Sequence, residues 1–314
     1  MEERLPKGML GGQAVMEGVM MKGPKSYSVA VRRPDAKIEV KLANYQSVGD
    51  KYPILKAPFL RGVVNFIESF CLGMKTLSYS SSFFDDEVDT KADQVIKNVF
   101  KEKAESVILG ITVFISFVLA IAIFMFLPVT IAQLFDKWIE QRFVLALIEG
   151  VIRLILFIIY VLLISQMQDI KRVFMYHGAE HKTINCYESG DDLTPENVAL
   201  HSRYHKRCGT SFLFIVMIVS IFVFMFINVE QMWLRLLLRL VLVPVVAGIS
   251  YELIRYAGRH DNLFVDIISQ PGIWVQKLTT KKPDEEMIQV AIVSVEAVLY
   301  GKDYVDAVNG AQDL

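Results

Sequence analysis

The sequence predicts a mainly α, polytopic membrane protein. It has about four transmembrane helices, a cytoplasmic helical hairpin between spans two and three, and a small N-terminal β-hairpin element. Three observations carry this reading. Of 314 residues, 53% are hydrophobic and 21% charged, against about 45–50% and about 25% in a soluble chain. The excess is concentrated, with no charged residue from Ser106 to Phe135 or from Cys208 to Val229. Lys and Arg collect between the apolar runs on alternate sides, as the positive-inside rule requires. An ordinary soluble enzyme is excluded. A net charge of −1 excludes a globally basic nucleic-acid binder, so no nucleic-acid partner is expected. Three scattered cysteines with no CxxC exclude a disulfide scaffold or a zinc ribbon.

A helix needs about 20 apolar residues to cross a bilayer. Four segments qualify: Val107–Leu134, with Pro128 near its far end; Val144–Met167; Phe212–Val229; and Leu234–Tyr256. The second carries Glu149 and Arg153 in the favourable i,i+4 order, so they neutralise one another. The fourth is the most charged, with Arg235 and Arg239 near its start and Glu252 and Arg255 near its end. The short connections between spans one and two and between three and four hold only Lys137 and Arg142. The long middle connection holds Lys171, Arg172, Lys182, Arg203, Lys206 and Arg207, and sixteen Lys/Arg precede residue 106. Both termini and the middle connection are therefore assigned to the cytoplasm, and no signal peptide is expected at Met1–Lys7.

Three regions follow: a cytoplasmic N-terminal region 1–105, a four-span domain 106–257 that includes a His-rich hairpin 168–211, and a cytoplasmic region 258–314. In the first, Ser28–Arg33 and Ile38–Leu42 alternate in period two around Pro34-Asp35-Ala36-Lys37 and read as a β-hairpin. The Gly-rich stretch Gly11–Met21 reads as a packed loop. Pro58 opens an amphipathic helix from Phe59 to Tyr79, suited to the membrane surface or to the spanning bundle. In the last region, after Pro271-Gly272, a second amphipathic helix runs from Pro283-Asp284 to Tyr300, and Gly301–Leu314 reads as a tail.

The middle connection carries the chemistry. Span two shows no breaker until Ser189-Gly190, so it is expected to continue as one helix to Glu188. Thr194-Pro195-Glu196 starts a returning helix that runs to Cys208-Gly209. His177 and His181 lie on the ascending arm and His201 and His205 on the descending one, each pair at i,i+4. If both arms are helical, the antiparallel register sets His177 against His205 and His181 against His201. Four imidazoles at one point suit a divalent metal, zinc or iron. His177-Gly178-Ala179-Glu180-His181 also has the H-x-x-E-H spacing of the inverted zinc-protease motif, with Glu180 as catalytic base. Two plainer readings stay open: the histidines cover an interface, with Glu180 paired to Lys182 or Arg203, or four His saturate a structural zinc.

Gly11-Gly12-Gln13-Ala14-Val15-Met16-Glu17-Gly18-Val19-Met20-Met21, Arg61-Gly62, His177-Gly178-Ala179-Glu180-His181-Lys182 and Arg207-Cys208-Gly209-Thr210-Ser211-Phe212 resemble the YqhQ-like family of bacterial membrane proteins. The resemblance runs from Gly11 to about Leu299. It implies a multi-pass protein of the bacterial inner (plasma) membrane in a family of unknown function whose members are often described as metal-dependent enzymes.

Other residues carry two readings each. Glu17 is a carboxylate ligand or part of a packed loop. Glu252 is a ligand or a partner of Arg255 or Arg153. Arg207 holds an anionic group or sets topology. Cys186 and Cys208 are soft ligands or small buried hydrophobes, and His260 reads as structural. The glycines at 11, 12 and 18 form no nucleotide-binding motif. The expected function is a metal-dependent membrane enzyme, a hydrolase at the cytoplasmic membrane surface. The alternative is a metal-stabilised scaffold for other membrane proteins. A transporter is disfavoured because the spans show no broken-helix repeat.

Overall fold

The computed structural model describes residues 5–84, 104–139, 141–227, 229, 231–258, 260 and 262–311. Four strands open the chain: β1 (Gly11–Val15), β2 (Gly18–Lys22), β3 (Ser26–Arg32) and β4 (Ile38–Asn44). They form one antiparallel meander in the order β1-β2-β3-β4. The hairpin at 28–42 is there, with Arg32 opposite Ile38. Gly11–Met21 is not a loop but a second hairpin, Gly12 opposite Met21. Its two-residue turn, Met16-Glu17, lacks the Asn-Gly or Asp-Gly signal of such turns. Glu17 takes φ +48°, which an L-residue disfavours. The turn is held from outside instead: Arg32 N donates to Glu17 O at 2.8 Å, and Arg172 pairs with the Glu17 carboxylate.

After short helical turns at Val48–Lys51 and Pro53–Lys56, the helices in order are α1 (Leu60–Ser81), α2 (Ala104–Ile121), a π-helical turn (Ala122–Phe126) and α3 (Leu127–Gln133). Then come α4 (Arg142–Ile164), α5 (Gln168–Ser189), α6 (Pro195–Leu200), α7 (Gly209–Phe224) and α8 (Met232–Ala257). The chain closes with α9 (Leu263–Thr279), α10 (Glu285–Tyr300) and α11 (Lys302–Ala311). They divide into two compact units, one from Met1–Phe84, Val161–Val216 and Pro244–Leu314, the other from Asp85–Tyr160 and Met217–Val243. The expected N-terminal region reaches into 85–103, which lie outside the described residues, as do Met1 and Leu314.

Among the described residues, three helical segments are long and apolar enough to cross a membrane: Gly110–Gln133, Arg142–Ile164 and Met232–Ala257. The expected span at Phe212–Val229 corresponds to α7, a shorter apolar helix of 16 residues. It ends in a tight turn in which Ile227 N donates to Phe224 O.

In the first unit the sheet has two covered faces, as period-two alternation dictates. Val19, Met21, Ala30 and Val40 pack on α5 and α10, whereas Val15, Met20, Val29 and Val31 pack with Leu72 of α1. Helix α10, capped by the Asp284 side chain, is buried on most of its surface rather than along one stripe. Buried serines fix it to the sheet: Ser294 Oγ donates to Val19 O at 3.0 Å and Ser28 Oγ to Ser294 O at 2.6 Å.

Three further expectations are corrected. Span two does not run on into α5: the chain breaks at Ser165–Met167, where Lys281 Nζ takes the Ser165 carbonyl at 3.1 Å. Pro271-Gly272 is no boundary. Both lie inside α9, and a Cβ on Gly272 would stand 2.6 Å from Ser211 Oγ, so the glycine serves close packing. Most of Gly301–Leu314 is not a tail but α11, whose Asn309 side chain bonds both the N–H and the C=O of Val40.

Candidate metal centre

Helix α5 carries His177 and His181 on one face, as their spacing dictates. Gly178 between them allows the backbone of Lys281 to press against the helix. A Cβ there would meet the Lys281 carbonyl oxygen at 2.1 Å. The two rings lie 4.4 Å apart. His177 Nδ1 bonds Thr279 O at 2.9 Å, and His181 Nδ1 bonds Arg203 O at 2.7 Å. A carbonyl only accepts, so both Nδ1 atoms carry the proton and both Nε2 lone pairs are left for a ligand. They converge on Cys208, whose Sγ is 3.2 Å from His177 Nε2. One ligand atom from each of the three residues lies within 4.8 Å of the others. Burial holds His181 below its ordinary pKa, which keeps the imidazole neutral.

The fourfold histidine arrangement does not form. Helix α6 stops at Leu200, and residues 201–208 are irregular, so His201 and His205 do not share a helix face. Side chains of α5 take the carbonyls a continued helix would need. Lys182 Nζ donates to Ala199 O and His201 O, and Asn185 Nδ2 to Ser202 O and Tyr204 O. His201 turns away and bonds Asp191 at 2.9 Å, within a separate group completed by Cys186. His205 stays beside the centre, its ring 5.7 Å from that of His181.

Glu180 is 5% exposed and lies against Gly12 of β1, where an added Cβ would stand 2.6 Å from its Cγ. Burial pushes its pKa up to about 7. It pairs with neither Lys182 nor Arg203, which are engaged elsewhere. Glu17 stands with Arg172 and the Tyr176 hydroxyl, outside the His–Cys group. Glu252 pairs with Arg61, not with Arg255 or Arg153. His260 stacks on Tyr256. Arg207 pairs with Glu188, which also accepts from Gly8 N at 2.8 Å and faces His205 Nε2 at 3.7 Å.

Burial acts to raise the Glu188 pKa, but the bonds from His205, Arg207 and Gly8 outweigh it and bring it down to about 2. A depressed carboxylate stabilises the fold above its unfolded value, near 4.5, and that contribution is lost as pH falls through the folded value. Thermal stability in detergent is therefore expected to fall as the pH drops between these values in the wild type. Glu188→Gln should be less stable at neutral pH and flatter across that window. An unchanged acid profile would refute the assignment.

Of the two readings of Cys208, soft ligand or small buried hydrophobe, the structure is compatible with the first, since the thiol stands within ligand distance of His177 and His181. One contributor is absent from the sequence reading. Gln276 of α9, fully buried, clamps His205 through both its backbone groups at 2.9 and 2.8 Å. The signal for α9 was its Asn262 cap and apolar spacing, which the Pro-Gly pair masked.

A family model described as a protein of unknown function, DUF1385, matches residues 57–300. The chain belongs to the DUF1385 family. It is also 38% identical over 293 residues to the uncharacterized protein YqhQ of Bacillus subtilis (strain 168), covering 92% of each chain. No solved structure matches it. The family match includes every donor of the centre and its partners on α9, while Gly12 and the sheet precede it.

Proposed function

We propose that this family member is a metal-dependent hydrolase at the cytoplasmic surface of the bacterial inner membrane. One observation carries the reading: two imidazoles locked by carbonyls at Nδ1 point their Nε2 atoms at one thiol sulfur. Outer hydrogen bonds of this kind typically orient metal-ligating histidines. Tetrahedral zinc with these donors needs donor–donor separations of about 3.3–3.6 Å, which the group meets with small side-chain movements. A mixed nitrogen and sulfur set suits zinc or iron(II). When bound, such a cation supplies Lewis acidity toward a substrate oxygen and toward water. Three protein donors leave one position open, the arrangement of catalytic sites. Glu180 is the acid–base group, and the Arg207–Glu188 pair orients His205.

The membrane assignment rests on the three long apolar helices, with α7 crossing as the fourth. The basic residues of the connection at 168–208 assign that side and both termini to the cytoplasm. Two helices of the first unit support a membrane-borne substrate. Phe66, Ile67 and Phe70 of α1, and Leu263, Ile267 and Trp274 of α9, are exposed large apolar groups. Both helices pack on candidate spans, α1 through Gly62 against Tyr251 of α8 and α9 through Gly272 against Ser211 of α7.

The test begins with metal analysis of protein purified without chelators, followed by incubation with membrane lipid and peptide extracts read by mass spectrometry. Glu180→Gln should keep the metal and lose turnover. Absence of any first-row metal would remove the proposal. Metal with identical product profiles in wild type and Glu180→Gln would leave the scaffold reading in its place.

A further inference from the structure

Antiparallel pairing fixes the side to which each backbone group of the sheet turns. Arg32 N donates to Glu17 O and Gly23 N to Ser26 O, both at 2.8 Å, so Val19 and Met21 between them bond β3. Gly18, Met20 and Lys22 are left for β1, where they face Val15, Gln13 and Gly11. The N–H and C=O of Gly12 and Ala14 therefore point outward, along the free edge of the sheet. Met16 N, the next outward amide, is taken by Ser80 Oγ of α1 at 3.1 Å. Among the described residues no hydrogen bond reaches the four groups of Gly12 and Ala14, and both residues are only half-buried.

The opposite edge is closed. Asn309 of α11 bonds the outward N–H and C=O of Val40 on β4, at 3.1 and 2.9 Å, in the manner of a neighbouring strand. An open edge is a template for another chain, and folds usually blunt it with charge or proline. Strand β1, Gly-Gly-Gln-Ala-Val, carries neither. It also lies beside the chemistry, since Gly12 rests against the Glu180 carboxyl group. The sheet runs from β1 over α10, whose Ser294 bonds Val19 and Ser28, so the open edge points away from α10. On α5, Ala179 packs in the core with α10. At 3.6 residues per turn it stands about 200° from both His177 and His181, with Glu180 between. The open edge and the histidines thus share one flank of α5. Within β1 only two residues are open, a short ladder for pairing two copies but enough to align one bond beside Glu180.

We propose that the open edge of β1 takes an extended peptide segment as an added strand, and that this segment is the substrate of the centre. Main-chain bonds to an edge hold a peptide largely irrespective of its side chains. The chemistry rests on the hydrolase reading, whereas the strand site needs no metal. Hydrolysis balances with one water: its oxygen joins the peptide carbonyl carbon, the C–N bond breaks, and Glu180 carries the water's proton to the departing nitrogen.

The test uses the full-length Glu180→Gln protein in detergent, which leaves a bound peptide uncut, and a pool of short randomised peptides with blocked termini. Retained peptides are expected by mass spectrometry. Amide exchange read residue by residue should slow at Gly12 and Ala14 and stay unchanged at Gln13 and Val15, already bonded to β2. Adding Ala14→Pro removes one outward N–H, which an edge strand tolerates. That variant should fold, keep its metal and retain about tenfold less peptide. Bound metal with no retained peptide would overturn the strand site and leave the hydrolase reading standing. Retained peptide without any bound metal would keep the strand site and remove its chemistry. Retention unchanged by Ala14→Pro would overturn the proposal in favour of a site elsewhere. Slow exchange at both amides in a dimer without peptide would make a second copy the occupant.

Discussion

Cys208→Ala and His181→Ala are each expected to strip the protein of bound metal, whereas His201→Ala leaves the metal content close to that of the wild type. His181 Nε2 and Cys208 Sγ belong to one group, while His201 is bonded to Asp191 in another. Loss of an outer-shell partner alone typically weakens metal binding by about 10–100-fold, and loss of one of three direct donors should exceed that. Cobalt substitution offers a direct view, because a thiolate-to-metal charge-transfer band should be present in the wild type and missing in Cys208→Ser. Elemental analysis showing that His201→Ala loses as much metal as His181→Ala would mean that the two groups are one site.

Removal of the Glu149 side chain should produce the largest loss of stability in the second unit. Glu149→Ala leaves Arg153 and Arg239 buried beside each other without the oxygen both of them use. Breaking a buried pair from one side costs about 3–5 kcal/mol, because a charge is left uncompensated. Arg239→Gln should cost less, since one balanced pair survives. The comparison needs only denaturant unfolding of the two variants in the same detergent. A Glu149→Ala protein within about 1 kcal/mol of the wild type would show that water reaches the cluster freely.

Much of the fold was legible in the amino-acid order, since apolar run length, period and capping act locally. The charge-free run Ser106–Phe135 marked the first long apolar helix, Asp284 marked the start of α10, and the turn at Pro34–Lys37 marked the β3–β4 hairpin. Glu149 and Arg153 met because one helical turn brings them together. The H-x-x-E-H spacing likewise set His177 and His181 side by side, with no help from the rest of the chain.

Tertiary contacts decided the remainder. The β1–β2 hairpin forms around an unfavourable Glu17 because Arg172, 155 residues away, holds its carboxylate. The descending arm is irregular because Lys182 and Asn185 compete for its carbonyls, which removes His201 from the centre and brings Cys208 in. Helix α9 runs through Pro271-Gly272 because α7 packs against the bare glycine, and its end then supplies the carbonyl that fixes His177. Local periodicity thus determined which residues share a helix face. Long-range competition for backbone hydrogen bonds, which no sequence window contains, decided which faces meet.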